Sequence, residues 1–221
     1  MTKTIEDNGL ATIVGADTSI FHGTTIEDIT QFEKGIEDTL GTGIYFTSQR
    51  KPAEGYAKVR EGRGKGKPLV YEAKVPDAKF VDLRDIPTLH KVMEGYVPFL
   101  EEWHKKEYAN EEDAEIRYRD CEPDKRLSFY WIDRKMDRKK IEEIKGNVER
   151  KAYMKIGIKS ISYVFPWLFS EYLQSLGYEG LIAFEGGESG NGVTIGNHDS
   201  WVVFEPEKTN IQIISKKFVE N

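Results

Sequence analysis

The chain has 221 residues, enough for one domain or for one domain carrying a large insertion, and its 38% hydrophobic and 12% aromatic content argues for a closed core over disorder. A net charge of -6 gives no global attraction to nucleic acid, and the single cysteine excludes an internal disulfide. No apolar run is long enough to span a bilayer as a helix, and Met1 to Asn8 has no apolar signal core, so the expected compartment is the cytoplasm. Cys121 lies between Asp120 and Glu122, which disfavour its thiolate, so it reads as a bystander. The histidines His22, His90, His104 and His198 show neither HxxxH nor HExxH spacing, and no metal site is expected.

In chain order, Ser19 to His22 reads as a short strand ending at Gly23. Thr25-Ile26-Glu27-Asp28 reads as a helix start, with Thr as a cap and acids in the first turn. Gly41 and Gly43 bracket a turn before a strand, Ile44 to Phe46. Pro52 to Arg60 is predicted to be a helix with proline near its first turn, followed by a basic loop, Arg60 to Lys67. Leu69 to Val75 alternates as a strand, and Phe80 to Leu83 reads as another. Arg84 to Lys155 is dense in charge and helical in pattern, with segments Val97 to Tyr108, Glu111 to Arg119 and Ile132 to Ile156. The last carries Ile132, Met136, Ile141, Ile144, Val148 and Ala152 at helical intervals, with a break expected near Gly146. Trp167 to Leu176 reads as a helix capped by Gly177. Strands follow at Leu181 to Phe184, Trp201 to Phe204 and Ile211 to Ile214, with a Gly-rich loop from Gly186 to Asn197. Strands at both ends and helices in the centre predict one α+β domain over 1–221 with a helical insertion at 84–155.

Three segments bear on chemistry. They are Phe21-His22-Gly23-Thr24 at a strand end, Gly41-Thr42-Gly43-Ile44-Tyr45-Phe46-Thr47 with Tyr56 eleven residues after Tyr45, and Ser200-Trp201-Val202-Val203-Phe204-Glu205-Pro206. In this order and spacing they resemble the ADP-ribosyltransferase superfamily, which includes diphtheria-type toxins and poly(ADP-ribose) polymerases. They resemble more closely the small bacterial and phage transferases with a YHGT … GIYFT … YVVFDP pattern. The resemblance covers about half the chain, from Ser19 to Leu83 and from Leu176 to Ile214. It implies a split, mostly antiparallel β-core and transfer of ADP-ribose from NAD. By resemblance, His22 meets the ribose, Gly23 lies at the nicotinamide amide, and Tyr45 and Tyr56 clamp the ring, with Thr24 and Phe46 as further candidates for NAD binding.

The residue types suit that task. Glycine lets a backbone approach a ligand, tyrosines stack on a flat ring, and a carboxylate stabilises a ribose that turns cation-like in the transition state. The third motif departs from the pattern. Where the best-known members carry Glu, this chain has Ser200, and Asp199 stands one residue earlier. A one-residue shift turns a strand side chain to the other face unless a loop or a bulge re-aims it. Asp199 is nevertheless the expected catalytic acid, with Ser200 as its polar partner. Glu185, Glu188 and Glu205 are the other acids nearby. Lack of the Glu implies transfer of single ADP-ribose units.

The resemblance further implies a macromolecular acceptor, protein or nucleic acid. By analogy alone it suggests an intracellular toxin or effector of toxin–antitoxin or phage conflict, with an antitoxin as a possible partner. The Gly-rich loop reads as a target-recognition element or as a plain hairpin loop. The basic stretches, Lys58 to Lys67 and Arg134 to Lys155, the latter near Tyr130, Trp131 and Tyr153, read as solvated helix faces or as a surface for phosphates and bases. Rival readings are an NAD glycohydrolase and a non-catalytic binding module of the same fold.

Overall fold

Asn8 and Gly9 both take positive φ, 52° and 74°, between β1 (Lys3–Asp7) and β2 (Leu10–Thr24). Asp7 faces Leu10, so the two residues form a type I′ hairpin turn, whose twist matches that of the strands. The computed structural model describes residues 3–35, 40–62, 66–107, 134–156, 165–185, 189–190 and 193–220.

The two longest strands, β2 and β4 (Leu69–Asp82), make the frame. They pair antiparallel in two stretches, Thr12–Val14 against Lys79–Val81 and Ile20–Thr24 against Leu69–Ala73, with register shifts between them. Such shifts bend a strand, so each long strand serves two parts of the sheet. On its other edge β4 holds β9 (Gln212–Phe218) over Leu69–Lys74 and, in parallel, β5 (Gly180–Glu185) over Phe80–Asp82. β5 pairs with β8 (His198–Val203), and β8 pairs with β3 (Ile44–Thr47). β3 returns to β2 at one position, Phe21 opposite Thr47. The sheet is thus curled on itself, mostly antiparallel, with a nearly open seam between β2 and β3. A two-stranded hairpin, β6 (Ser189–Gly190) and β7 (Val193–Thr194), precedes β8.

The core inside the curl contains Ile20, Phe46, Leu69, Tyr71, Val75, Phe80, Ile182, Trp201 and Val203. Burial of each large side chain stabilises the fold by about 1.5–3 kcal/mol. The predicted alternation holds in β4, where Leu69, Tyr71, Ala73 and Val75 share the core. Helix α1 (Arg50–Glu61) buries Ala53 and Ala57. Helix α2 (Ile86–Glu107) opens on Asp85, whose carboxylate accepts the Thr88 N–H. Then follow α3 (Arg134–Glu149), α4 (Tyr153–Ile156) and α5 (Pro166–Ser175), the last with proline in its first turn. No helix among the described residues is long and apolar enough to cross a membrane.

The chain divides into two compact units, 1–89 with 156–221, and 90–155. In the second, α2 buries Val92, Met93, Tyr96 and Leu100, and α3 buries Ile141, Ile144 and Val148. The Lys145 ammonium lies 3.3 Å from Glu101, and the His90 and Tyr153 rings face each other at 6.4 Å.

Several elements differ from the sequence reading. No helix starts at Thr25. The Thr24 hydroxyl accepts the Ile26 N–H, and the buried Tyr71 hydroxyl takes Glu27 O and Ile29 N–H, so tertiary partners occupy the groups a helix needs. The predicted strands 69–75 and 80–83 are one strand. α2 begins eleven residues before Val97 and runs through Pro98, since its buried apolar face offsets the roughly 3 kcal/mol cost of an interior proline. α3 passes Gly146 unbroken, and the break comes where Lys151 takes φ +50°. β8 starts at His198, three residues before Trp201. Cys121, the segment Glu111 to Arg119, Tyr130, Trp131 and Glu188 lie outside the described residues.

Candidate active site

His22 lies near the end of β2, just past the one residue that pairs with β3. Its Nδ1 is 2.7 Å from the Tyr45 carbonyl oxygen, so the ring bridges the seam. Phe32 and Phe46 meet it edge-on at 5.5 and 5.7 Å. Burial pushes the His22 pKa down to about 4. The hydrogen bond to Tyr45 opposes that shift, and the Arg60 charge adds to it. The ring is therefore neutral at pH 7. A carbonyl can only accept, so Nδ1 carries the proton and Nε2 is left as an acceptor.

Gly23 is required by packing. A Cβ there would lie 1.8 Å from the Ala53 carbonyl oxygen and 3.0 Å from the Ala57 nitrogen, so α1 rests directly on the end of β2. One edge of Gly23 faces Val70 of β4. The other lies beyond the last paired position of β3. The close approach fixes α1 and with it Tyr56. Gly55, next to Tyr56, is held at Ile195, just after β7. Tyr45 is half-buried, and its hydroxyl donates to Gly41 O at 2.7 Å and accepts the Leu40 N–H at 2.8 Å. That ties the turn before β3 to the ring.

On β8, residues alternate between two faces. Thr47 of β3 lies opposite Ser200, and Ser200 lies opposite Ala183 of β5. His198 and Ser200 share one face with Glu185, whose strand partner is His198. All three are nearly closed to solvent, at 2%, 2% and 3% exposure. The Ser200 hydroxyl donates to the Glu185 carboxylate. The His198 Nε2 lies 3.3 Å from the Tyr56 hydroxyl, 3.4 Å from the Ser200 Oγ and 3.8 Å from the Glu185 Oε2. His198 Nδ1 is 2.8 Å from Gly196 O, so in the neutral ring Nδ1 donates there and Tyr56 donates to Nε2. Tyr56 also meets the His198 ring edge-on at 5.5 Å. The half-buried Tyr56 thus joins the buried His198, Ser200 and Glu185 in one polar cluster.

Asp199 stands apart. It lies within β8, with unbroken pairing to Phe184, and no loop or bulge turns it inward. It therefore projects to the face opposite Ser200. There its Oδ2 is 2.6 Å from the Arg84 guanidinium, which also binds Asp82 at 2.7 Å. Glu205 lies past the other end of β8, 2.7 Å from Lys208. Phe46 belongs to the core and supports His22 from that side. Thr24 is buried at the last position of β2, opposite Leu69, and its hydroxyl accepts the Ile26 N–H. The structure thus groups Tyr56 with Ser200 and links His22 to Tyr45 through β3, and it leaves Asp199 outside both. The sequence reading passed over His198 and ranked Glu185 behind Asp199. The signal was present in the alternation of β5 and β8, once their register is known. Among the described residues, no group of three or more His, Cys, Asp or Glu side chains could hold a metal ion.

No curated protein matches the chain. Among solved structures, a chain in the crystal structure of the M. tuberculosis MbcT–MbcA toxin–antitoxin complex is similar, at 10% identity and a TM-score of 0.43, covering 93% of this chain and 86% of that one. Residues 14–215 match the family model described as ADP-ribosyltransferase in polyvalent proteins, and the chain belongs to that family.

Proposed function

We propose that the chain transfers single ADP-ribose units from NAD to a macromolecular acceptor, protein or nucleic acid. The observation that carries this reading is the seam between β2 and β3, where His22 holds a fixed tautomer beside Tyr45. Its Nε2 accepts a ribose hydroxyl. The Gly23 peptide, past the last β3 pair, meets the carboxamide of nicotinamide, and Tyr45 and Tyr56 flank the ring. In the reaction the bond between ribose C1′ and the nicotinamide nitrogen breaks, and its electron pair stays on that nitrogen. Neutral nicotinamide leaves and C1′ becomes cation-like. A lone pair of the acceptor then bonds to C1′, and the acceptor loses a proton to water.

The fixed Nδ1–H of His22 matters for rate, because a ring that must first reorient or lose a proton adds to the barrier. The test is nicotinamide release from NAD, with and without cell lysate, followed by protease or nuclease digestion of labelled material. Release with macromolecular label supports the transferase, and the digestion names the acceptor class. Release without label points to a glycohydrolase, and no release points to a binding module. For a toxin with a neutralising partner, expression should arrest growth, and His22→Ala should relieve the arrest.

A further inference from the structure

Ser200 occupies the position where the resemblance calls for glutamate, yet a carboxylate reaches that place from the neighbouring strand. Adjacent strands lie about 4.8 Å apart. Glu185, on β5, spans that gap and accepts a hydrogen bond from the Ser200 hydroxyl. We propose that Glu185, acting through Ser200, supplies the negative charge that steadies the cation-like ribose. This inference rests on the reading of the chain as an NAD-cleaving transferase.

Four observations converge on it. Glu185 and Ser200 share a face with Tyr56, which flanks nicotinamide in the reading above. Burying a carboxylate costs several kcal/mol unless it is paired, so a Glu at 3% exposure is no accident of the surface. Donation by the Ser200 O–H to a carboxylate enriches the Ser200 oxygen, whose lone pairs then meet positive charge more strongly. The rival acid, Asp199, lies on the opposite face and is already matched by Arg84. In a low-dielectric site the same negative charge acts far more strongly than in water. Glu185 is thus a positioning residue, and Ser200 is the group that it polarises.

The experiment compares the wild type with Glu185→Gln, Asp199→Asn, His22→Ala and the transposed double variant Glu185→Ser with Ser200→Glu, reading nicotinamide release over a range of NAD concentrations. Glu185→Gln should lower kcat by about 100-fold or more, the scale of losing one electrostatic stabiliser. KM for NAD should stay within about threefold, since the charge acts on the transition state. Asp199→Asn should lose much less. The transposed variant restores the carboxylate one strand over and should recover at least tenfold of the loss, which a mere strut between strands would not do. It also carries the test should Glu185→Gln fail to fold. Turnover near wild type in Glu185→Gln, or a lost activity that transposition does not recover, overturns the inference while the transferase reading stands. Absence of turnover in the wild type, or full activity in His22→Ala, overturns the transferase reading itself.

Discussion

Two carboxylates flank the start of β8, one on each face of the same sheet, and their surroundings differ in every respect that decides chemistry. On one face Glu185 is enclosed with Ser200, His198 and Tyr56. On the other, Asp199 sits beside Phe184, which is 60% exposed, and meets Arg84 in a partly exposed ion pair. Proximity in sequence to the expected position favours Asp199. Burial, face and partners favour Glu185. The comparison teaches that in a strand the parity of a residue outweighs its distance along the chain, because side chains alternate every residue and neighbouring strands lie within reach of one glutamate. The ways to break or sharpen this contrast run from changes that collapse the enclosed face to changes that should barely touch the open one.

The largest effect is expected at Gly23. Alanine there places a Cβ 1.8 Å from the Ala53 carbonyl oxygen, which belongs to helix backbone and cannot swing away. α1 must move, and Tyr56 moves with it. Overpacking of this kind costs about 3 kcal/mol. Gly23→Ala should therefore lower the urea midpoint strongly and raise KM for NAD. An unchanged midpoint would mean that α1 is looser on β2 than this contact requires.

His22 comes next, and it tests burial as the governing variable. Its folded pKa of about 4 lies below the 6.5 of a solvated imidazole. Above pH 6.5 both the folded and the unfolded chain carry a neutral ring, and the fold keeps its full stability from this group. As the pH falls below 6.5 the unfolded chain takes up a proton that the folded one refuses. Stability is lost progressively until about pH 4, a total of about 3 kcal/mol for a shift of this size. His22→Gln should flatten that part of the stability curve, measured by urea titrations between pH 7 and pH 4. Parallel curves for the two proteins would show that the ring is solvated.

A smaller effect is expected from Tyr56→Phe. The ring and its edge-on contact with His198 remain, and only the hydroxyl near Nε2 is lost. His198 is then deprived of one donor inside the enclosed cluster. The cost should be about 1 kcal/mol in stability, the worth of one hydrogen bond. KM for NAD should change little, because stacking needs no hydroxyl. A tenfold rise in KM would assign the hydroxyl a direct contact with the ligand.

Much of the frame was legible in the sequence, because period-2 alternation, as in Leu69 to Val75, reports a buried strand face directly. The Asn8-Gly9 hairpin was legible too and was passed over, although Asn-Gly is among the strongest local hairpin signals. The segment after Thr25 was not, since Tyr71 takes its backbone groups from a strand more than 40 residues away. At the site, His22, Gly23, Tyr45 and Tyr56 stand out as motif residues. Glu185 does not, because its place beside Ser200 depends on the register of β5 against β8, a long-range pairing that local pattern does not encode. The extent of β8 carried the same difficulty. A strand read from Trp201 leaves Asp199 in a loop, whereas one that starts at His198 fixes it on the outer face.

The smallest effect should come from the open face itself. Arg84 binds both Asp82 and Asp199, and its side chain is 32% exposed, with that of Asp199 at 22%. The guanidinium keeps its charge firmly, its pKa raised chiefly by the Asp82 hydrogen bonds, with Asp199 adding less. Removal of Asp199 therefore leaves Arg84 with its principal partner and no uncompensated charge. Ion pairs of this exposure contribute about 0–1 kcal/mol, and salt weakens them further. Asp199→Ala should lower stability by less than about 1 kcal/mol at low salt, with the difference shrinking in high salt, as read from urea midpoints at two ionic strengths. The same substitution on the enclosed face, Glu185→Ala, should cost several times more and show little salt dependence, because solvent ions do not reach a closed cluster. Equal costs and equal salt dependence at the two positions would erase the contrast between the faces. The choice between the two acids would then rest on turnover alone.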